Sequence, residues 1–126
     1  MLDVSKNGII TLSRGDSFYL NIFVNLGTEL NPIPYRLKEG DKLYFALMQP
    51  HQPFENALIR KEATIADMDE QTDLVKFSFT SEMTEFLMPG NYYYMVKLLR
   101  ANNGESGEEN ESVDTIISKT KFIIID

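Results

Sequence analysis

The sequence predicts an all-β protein: a two-sheet antiparallel β-sandwich of about seven strands, with one short helix before the penultimate strand. Three observations predict it. Apolar residues recur with period two over short segments. Gly, Asp, Asn and Pro punctuate those segments at close intervals. One stretch alone, residues 80–87, carries apolar residues at helical spacing. The 126 residues suit a single domain, with a core over about residues 8–125 and no internal repeat.

Each element has a local reason. Residues 8–12 form a short first strand, and Ser13-Arg14-Gly15-Asp16 a turn, because Gly and Asp supply tight backbone geometry. Over residues 17–25, Phe18, Leu20, Ile22 and Val24 share one face, while Tyr19, Asn21, Phe23 and Asn25 share the other. Residues 27–34 hold Gly, Asn and two prolines and form a loop, followed by a second turn at Lys38-Glu39-Gly40-Asp41. Residues 42–48 alternate again, with Leu43, Phe45 and Leu47 against Lys42, Tyr44 and Ala46. Pro50 and Pro53 end that strand, since proline cannot donate to a central ladder. Residues 57–65 form a strand, 67–73 a polar acidic turn, and 74–79 a strand with Val75, Phe77 and Phe79 on one side.

The second half reads differently. Thr80 or Ser81 can cap one or two helical turns, with Glu82 near the positive end. Met83, Phe86 and Leu87 then fall on one helical face, and Pro89-Gly90 stops the helix. Residues 91–100 make a long strand, with Tyr92, Tyr94, Val96 and Leu98 opposite Tyr93, Met95, Lys97 and Leu99. Both faces are largely apolar, which places it centrally in its sheet. Residues 101–114 are poor in apolar side chains and read as a mobile acidic hairpin loop. Residues 115–125 close the fold. Their run Phe122-Ile123-Ile124-Ile125 must pair, being hydrophobic, β-prone and uncharged.

Composition removes whole classes of function. There is no Cys, hence no disulfide and no thiolate metal site. The net charge is −7, from 19 acidic and 12 basic residues, which argues against nucleic acid as a partner. The nearest basic groupings, Arg60-Lys61 and Lys119 with Lys121, are short and flanked by acids. No segment approaches the roughly 20 apolar residues that span a bilayer, so no membrane partner is expected. Residues 1–6 lack the charged and apolar regions of a secretory leader.

Catalysis needs a convergent acid, base and nucleophile. His51 is the only histidine and lies between Pro50 and Pro53; neither a second His nor a G-x-S-x-G elbow accompanies it. The expectation is a non-enzyme with no cofactor and no metal. Asp67, Asp69, Gln71 and Asp73 alternate like the first ligands of a calcium loop, but Thr72 and Ser78 stand where that loop needs Gly and Glu. Arg14-Gly15-Asp16 reads as a turn rather than a receptor-recognition tripeptide. Two features point to contacts between proteins. Glu105, Glu108, Glu109 and Glu111, with Asp114, make an acidic loop that either docks on a basic patch or cation, or keeps the hairpin solvated. Tyr19, Phe23 and Tyr44 lie opposite the core-facing residues of their strands, so they form an aromatic outer face.

Four stretches together are similar to a known family. Arg14-Gly15-Asp16-Ser17 opens one alternating strand, and Glu39-Gly40-Asp41-Lys42-Leu43-Tyr44-Phe45 opens another. Thr84-Glu85-Phe86-Leu87-Met88-Pro89-Gly90-Asn91-Tyr92-Tyr93-Tyr94 follows the helix, and Asp114-Thr115-Ile116-Ile117 precedes Phe122-Ile123-Ile124. This order resembles the immunoglobulin-like domains of tailed-phage virion proteins, notably the N-terminal domain of the baseplate upper protein family. The family often carries an acid where Met95 stands here. The resemblance implies an immunoglobulin-like sandwich in which Gly15, Asp16, Gly40, Asp41, Gly90 and Tyr92 have structural roles. A Tyr just after a tight turn can return its hydroxyl to the upstream backbone as a tyrosine corner. Tyr92 and Tyr93 both have a fitting spacing, and Tyr92 shares its face with Tyr94 and Val96.

The resulting expectation is a structural protein of a tailed-phage virion, in its tail, baseplate, neck or head decoration. Its partners would be other virion proteins and copies of itself, and it would be made in the bacterial host cytoplasm. The alternatives are a stand-alone module binding carbohydrate or a cation, and a phage-encoded inhibitor of a host protein.

Overall fold

Alternation in the sequence becomes alternation of burial. In residues 74–79, Val75, Phe77 and Phe79 are buried while Lys76 and Ser78 are exposed. The computed structural model describes residues 2–28, 30–103 and 109–126. In chain order they form β1 (Leu2–Val4), β2 (Ile10–Ser13), β3 (Phe18–Phe23), β4 (Lys42–Met48), β5 (Ile59–Ala63), β6 (Leu74–Phe79), helix α1 (Ser81–Glu85), β7 (Gly90–Asn103) and β8 (Glu109–Ile125). Short 3₁₀ turns at Phe54–Asn56 and Ile65–Asp67 flank β5.

The fold is all-β, but the strands are shared unequally. Six form one sheet in the order β1-β2-β8-β7-β4-β5, and β3 with β6 makes a two-stranded ribbon. The expected antiparallel pairing needs correction, because β2 runs parallel to β8 with Leu12 opposite Ile124. β1 folds back antiparallel on β2 with Leu2 opposite Leu12. β1 is the strand the sequence does not announce, since three residues are too few to display a period. β7 lies between β4 and β8, in the central position its two apolar faces predict. The uncharged run at the end of β8 is paired on both sides, by β2 and β7.

Six aromatic rings fasten the ribbon to the sheet. Phe18, Phe77 and Phe79 come from the ribbon, and Phe45, Tyr94 and Phe122 from the sheet. Phe18 stacks on Phe79 at 4.3 Å, Phe79 meets Phe45 edge-on at 4.9 Å, and Phe45 stacks on Tyr94 at 5.6 Å. Phe122 tilts against Phe18 at 5.9 Å and meets Tyr94 edge-on at 6.2 Å. Leu12, Leu43, Val75, Val96 and Leu98, each 0% exposed, complete the same core.

Two further expectations are corrected. Residues 101–114 are not a loop where they are described: Ala101 pairs with Glu111, Asn103 with Glu109 and Leu98 with Asp114. A ladder is made by backbone groups and does not need apolar side chains to continue past the core. Residues 104–108 lie outside the described residues. Phe86, just past α1, is 57% exposed, and Thr84 within α1 is buried in its place. The helix is only five residues long, so tertiary contacts set its orientation. The Thr84 hydroxyl donates to the Asp16 carbonyl at 2.9 Å, and Arg14 Nε donates to the Glu85 carbonyl at 3.0 Å. The β2–β3 turn and the α1 crossing, each passing between the sheets, are thereby tied to one another.

The β3–β4 connection is anchored by a buried carboxylate. Asp41 is 2% exposed. Its Oδ2 accepts from the Tyr35 hydroxyl at 2.5 Å and the Lys38 amide at 2.9 Å, and its Oδ1 from the Ala101 amide at 3.0 Å. Gly40 precedes it at φ +93, and a Cβ there would stand 3.0 Å from the Ala101 Cβ, so the turn needs glycine. Burial, reinforced by Asp41, pushes the Tyr35 phenol up to about 12. The folded state therefore holds that proton more tightly than the unfolded chain. The stabilisation is complete below about pH 10 and is lost as pH rises through about 12. Asp41→Ala should destabilise the protein by about 3 kcal/mol and Tyr35→Phe by about 1 kcal/mol, read from urea unfolding. Above pH 10, the wild type should lose stability more steeply than Tyr35→Phe.

Candidate interaction surfaces

The residues expected to form one aromatic outer face occupy two opposite faces. Tyr19 and Phe23 lie on β3, 56% and 46% exposed, on the outward side of the ribbon. Tyr44 lies on β4, on the outward side of the six-stranded sheet. The period-two pattern identifies the outward sides correctly but does not show that β3 and β4 belong to different sheets. Their cores face each other, so their outer faces point apart.

On the ribbon, Tyr19 stands opposite Ser78, Asn21 opposite Lys76 and Phe23 opposite Leu74. The Lys76 ammonium sits 4.6 Å from the Tyr19 ring centroid, an exposed cation–π contact. An open groove of about 620 Å³ runs past Tyr19 and Lys76 to Leu2. The ribbon's sheet contains no third strand, and isolated bridges at Asn25–Pro34 and Met68–Val75 are its other pairings among the described residues. Much of its backbone edge is therefore open to an added strand.

On the sheet, Tyr44 is half-buried and donates to Glu62 Oε1 at 3.1 Å; Lys42 approaches the same carboxylate at 3.4 Å. Burial, followed by Glu62, pushes the Tyr44 phenol up. The Arg60 guanidinium lies 4.8 Å from the Tyr44 centroid and 5.0 Å from that of Phe54, and the Lys97 ammonium is 4.7 Å from Phe54. Phe54, Arg60 and Lys97 are not legible as a group in the sequence. Only the register brings them together, with Arg60 opposite Ala46 and Lys97 opposite Tyr44.

The acidic residues are divided as well. Glu109 and Glu111 belong to β8, whereas Glu105 and Glu108 lie outside the described residues. Asp114 pairs with Arg100 at 2.8 Å. The alternating acids of the β5–β6 connection serve their own backbone. Asp67 Oδ2 accepts from the Thr64 amide at 2.9 Å, and Asp69 Oδ1 from the Gln71 and Thr72 amides at 2.8 and 3.2 Å. Asp73 meets Arg36 at 3.3 Å. His51 is exposed on the β4–β5 connection, with φ at 71°.

The turn residues lie where the chain changes direction. Gly15 and Asp16 sit between β2 and β3, Gly15 at φ +81, and Gly90 opens β7 at φ +152. The Tyr92 hydroxyl donates to the Met88 carbonyl at 2.6 Å, the geometry of a tyrosine corner, while the Tyr93 ring lies under Lys119 at 5.1 Å. Comparison with protein-family models, with curated proteins and with solved structures finds no match. Among the described residues, no helix is long and apolar enough to cross a membrane. Tyr92→Phe should lose about 1 kcal/mol of stability and Tyr93→Phe less than about 0.5 kcal/mol, measured by thermal unfolding.

Proposed function

We propose that this chain is a non-enzymatic structural protein of a tailed-phage virion, acting through contacts with other virion proteins and with copies of itself. The observation that carries the reading is the ribbon. Its outward face presents Tyr19 and Phe23, and much of its backbone edge is unpaired. Large exposed aromatics and open strand edges are liabilities in an isolated chain and serve as contact points in an assembly. The particle assignment itself comes from the resemblance of the Gly-Asp turns and the Gly90-Asn91-Tyr92 stretch.

The finer description as an immunoglobulin-like sandwich is part of the proposal. Three features support it: the parallel β2–β8 pair, the α1 crossing from ribbon to sheet before β7, and the hydroxyl of Tyr92 on the backbone of Met88.

Mass spectrometry of purified particles should find the chain as a stoichiometric component. Absence from particles, with capture by a host protein instead, would favour the inhibitor reading. Tyr19→Ser with Phe23→Ser should leave the melting temperature within about 4 °C of wild type, since both side chains lie outside the core. The double variant should nevertheless drop out of the particles, and full incorporation would sink the role given to the ribbon.

A further inference from the structure

We infer that the seam between β1 and β3 receives an extended segment of a partner protein, added as a strand to β3. That segment carries aliphatic side chains at alternate positions and an acid among those facing outward. The inference rests on the reading of the ribbon as the contact surface and deepens it, and it follows from where the peptide groups point. The Leu74 carbonyl accepts from the Asp69 amide at 2.9 Å, on the side of β6 away from β3. Peptide groups alternate sides along an antiparallel strand, so those of Val75, Phe77 and Phe79 face β3. They engage their register partners Ile22, Leu20 and Phe18. The N–H and C=O groups of Tyr19, Asn21 and Phe23 therefore point to the open edge, where they have no partner among the described residues. Residues 18–23 also contain no charge, Pro or Gly, the devices that keep an exposed edge from pairing.

The opposite wall has the same character. β1 is the last strand of its sheet. The Ser5 amide donates to the Ile9 carbonyl at 2.9 Å, so Ser5 and Asp3 face β2, and the peptide groups of Leu2 and Val4 face outward. Two grooves, of about 620 and 440 Å³, follow the edge of β3, and Leu2 lines both. Ile10, Tyr94 and Ile117 line the second. Val4 stands opposite Ile10, so both side chains lie on the core side, yet Ile10 is 1% exposed and Val4 50%. Alternate aliphatic side chains of an added strand, next to Leu20 and Ile22, would cover Val4. Charge selects the outward positions. The chain has 19 acidic residues, but among the described residues none lines either groove, and the one charged lining residue is Lys76. Lys76 rests on the Tyr19 ring at 4.6 Å and forms no ion pair among the described residues. An acid beside Tyr19 on the added strand comes within reach of that ammonium. Backbone pairing at the edge supplies affinity, and the alternate positions supply specificity.

The test uses the full chain and a capped heptapeptide with Val at its second, fourth and sixth positions, Asp at its third and Thr elsewhere. The peptide should bind with a Kd below about 1 mM at about 50 mM salt, and replacing its Asp by Lys should weaken binding about threefold or more. Lys76→Glu should reverse that preference. A peptide of the same composition without alternation should not bind. Binding should slow amide hydrogen exchange at Tyr19, Asn21 and Phe23 by about tenfold or more, while the Leu20 and Ile22 amides are protected with or without peptide. Asn21→Pro removes only an outward N–H, so it should fold, as circular dichroism verifies, and lose the peptide. Val4→Lys places a charge in the groove without touching the ribbon and should lose it as well. No binding at about 1 mM, or binding indifferent to both Asn21→Pro and Val4→Lys, would overturn the inference. Self-association abolished by Asn21→Pro, without peptide binding, would also overturn it and make a second copy the occupant. Incorporation into particles without peptide binding would remove the added strand and leave the virion reading standing; peptide binding by a chain absent from particles would do the reverse.

Discussion

A two-stranded ribbon has little stability in water, and among the described residues this protein has one as its second layer. β3 and β6 persist because Phe18, Phe77 and Phe79 are locked into Phe45, Tyr94 and Phe122 of the larger sheet. Each ring buries a large area, and paired rings add roughly 0.5–1.5 kcal/mol beyond burial. The arrangement also commits the inward side of each ribbon strand to the core. Whatever the ribbon offers to the outside must come from Tyr19, Asn21, Phe23 and their neighbours on β6, or from its backbone edge.

The connections between the layers are built with equal economy of parts. The β2–β3 turn and α1 are tied through Thr84 and Arg14. The β3–β4 connection is drawn onto β7 by the Asp41 carboxylate, which reaches Tyr35, Lys38 and Ala101 at once. A buried carboxylate is tolerable only when its oxygens are well supplied with donors, and here three donors converge on it. The polar contacts therefore tie the connections to one another and to β7, while the aromatic rings hold the sheets together. Each outer surface carries aromatic rings with cations beside them.

Much of this is legible in the sequence for a physical reason. Strand faces follow from alternation, so period two alone assigns Leu43, Phe45, Leu47, Val75, Phe77 and Phe79 to the core, where all six are buried. The Gly-Asp turns follow from backbone sterics. Sheet membership does not follow from either, because it depends on which strands pair across long stretches of chain. That is why the alternation groups Tyr44 with Tyr19 and Phe23, and why it gives no sign that Arg60 and Lys97 meet on Phe54. The hairpin beyond Arg100 is hidden for a different reason: low apolar content suggests a loop, yet a ladder can continue on backbone hydrogen bonds alone.

The β1–β2–β8 corner has a mechanical meaning. Leu2 stands opposite Leu12, and Leu12 opposite Ile124, so residues 2 and 126 leave the sheet at the same end, about 10 Å apart. Tension applied to the two ends acts across the strands rather than along them. Hydrogen bonds loaded in that way open one after another, like a zipper, instead of resisting together in shear. The fold is suited to being held by its flat faces and edges; as a link in a chain pulled from its ends, it would yield first at β1.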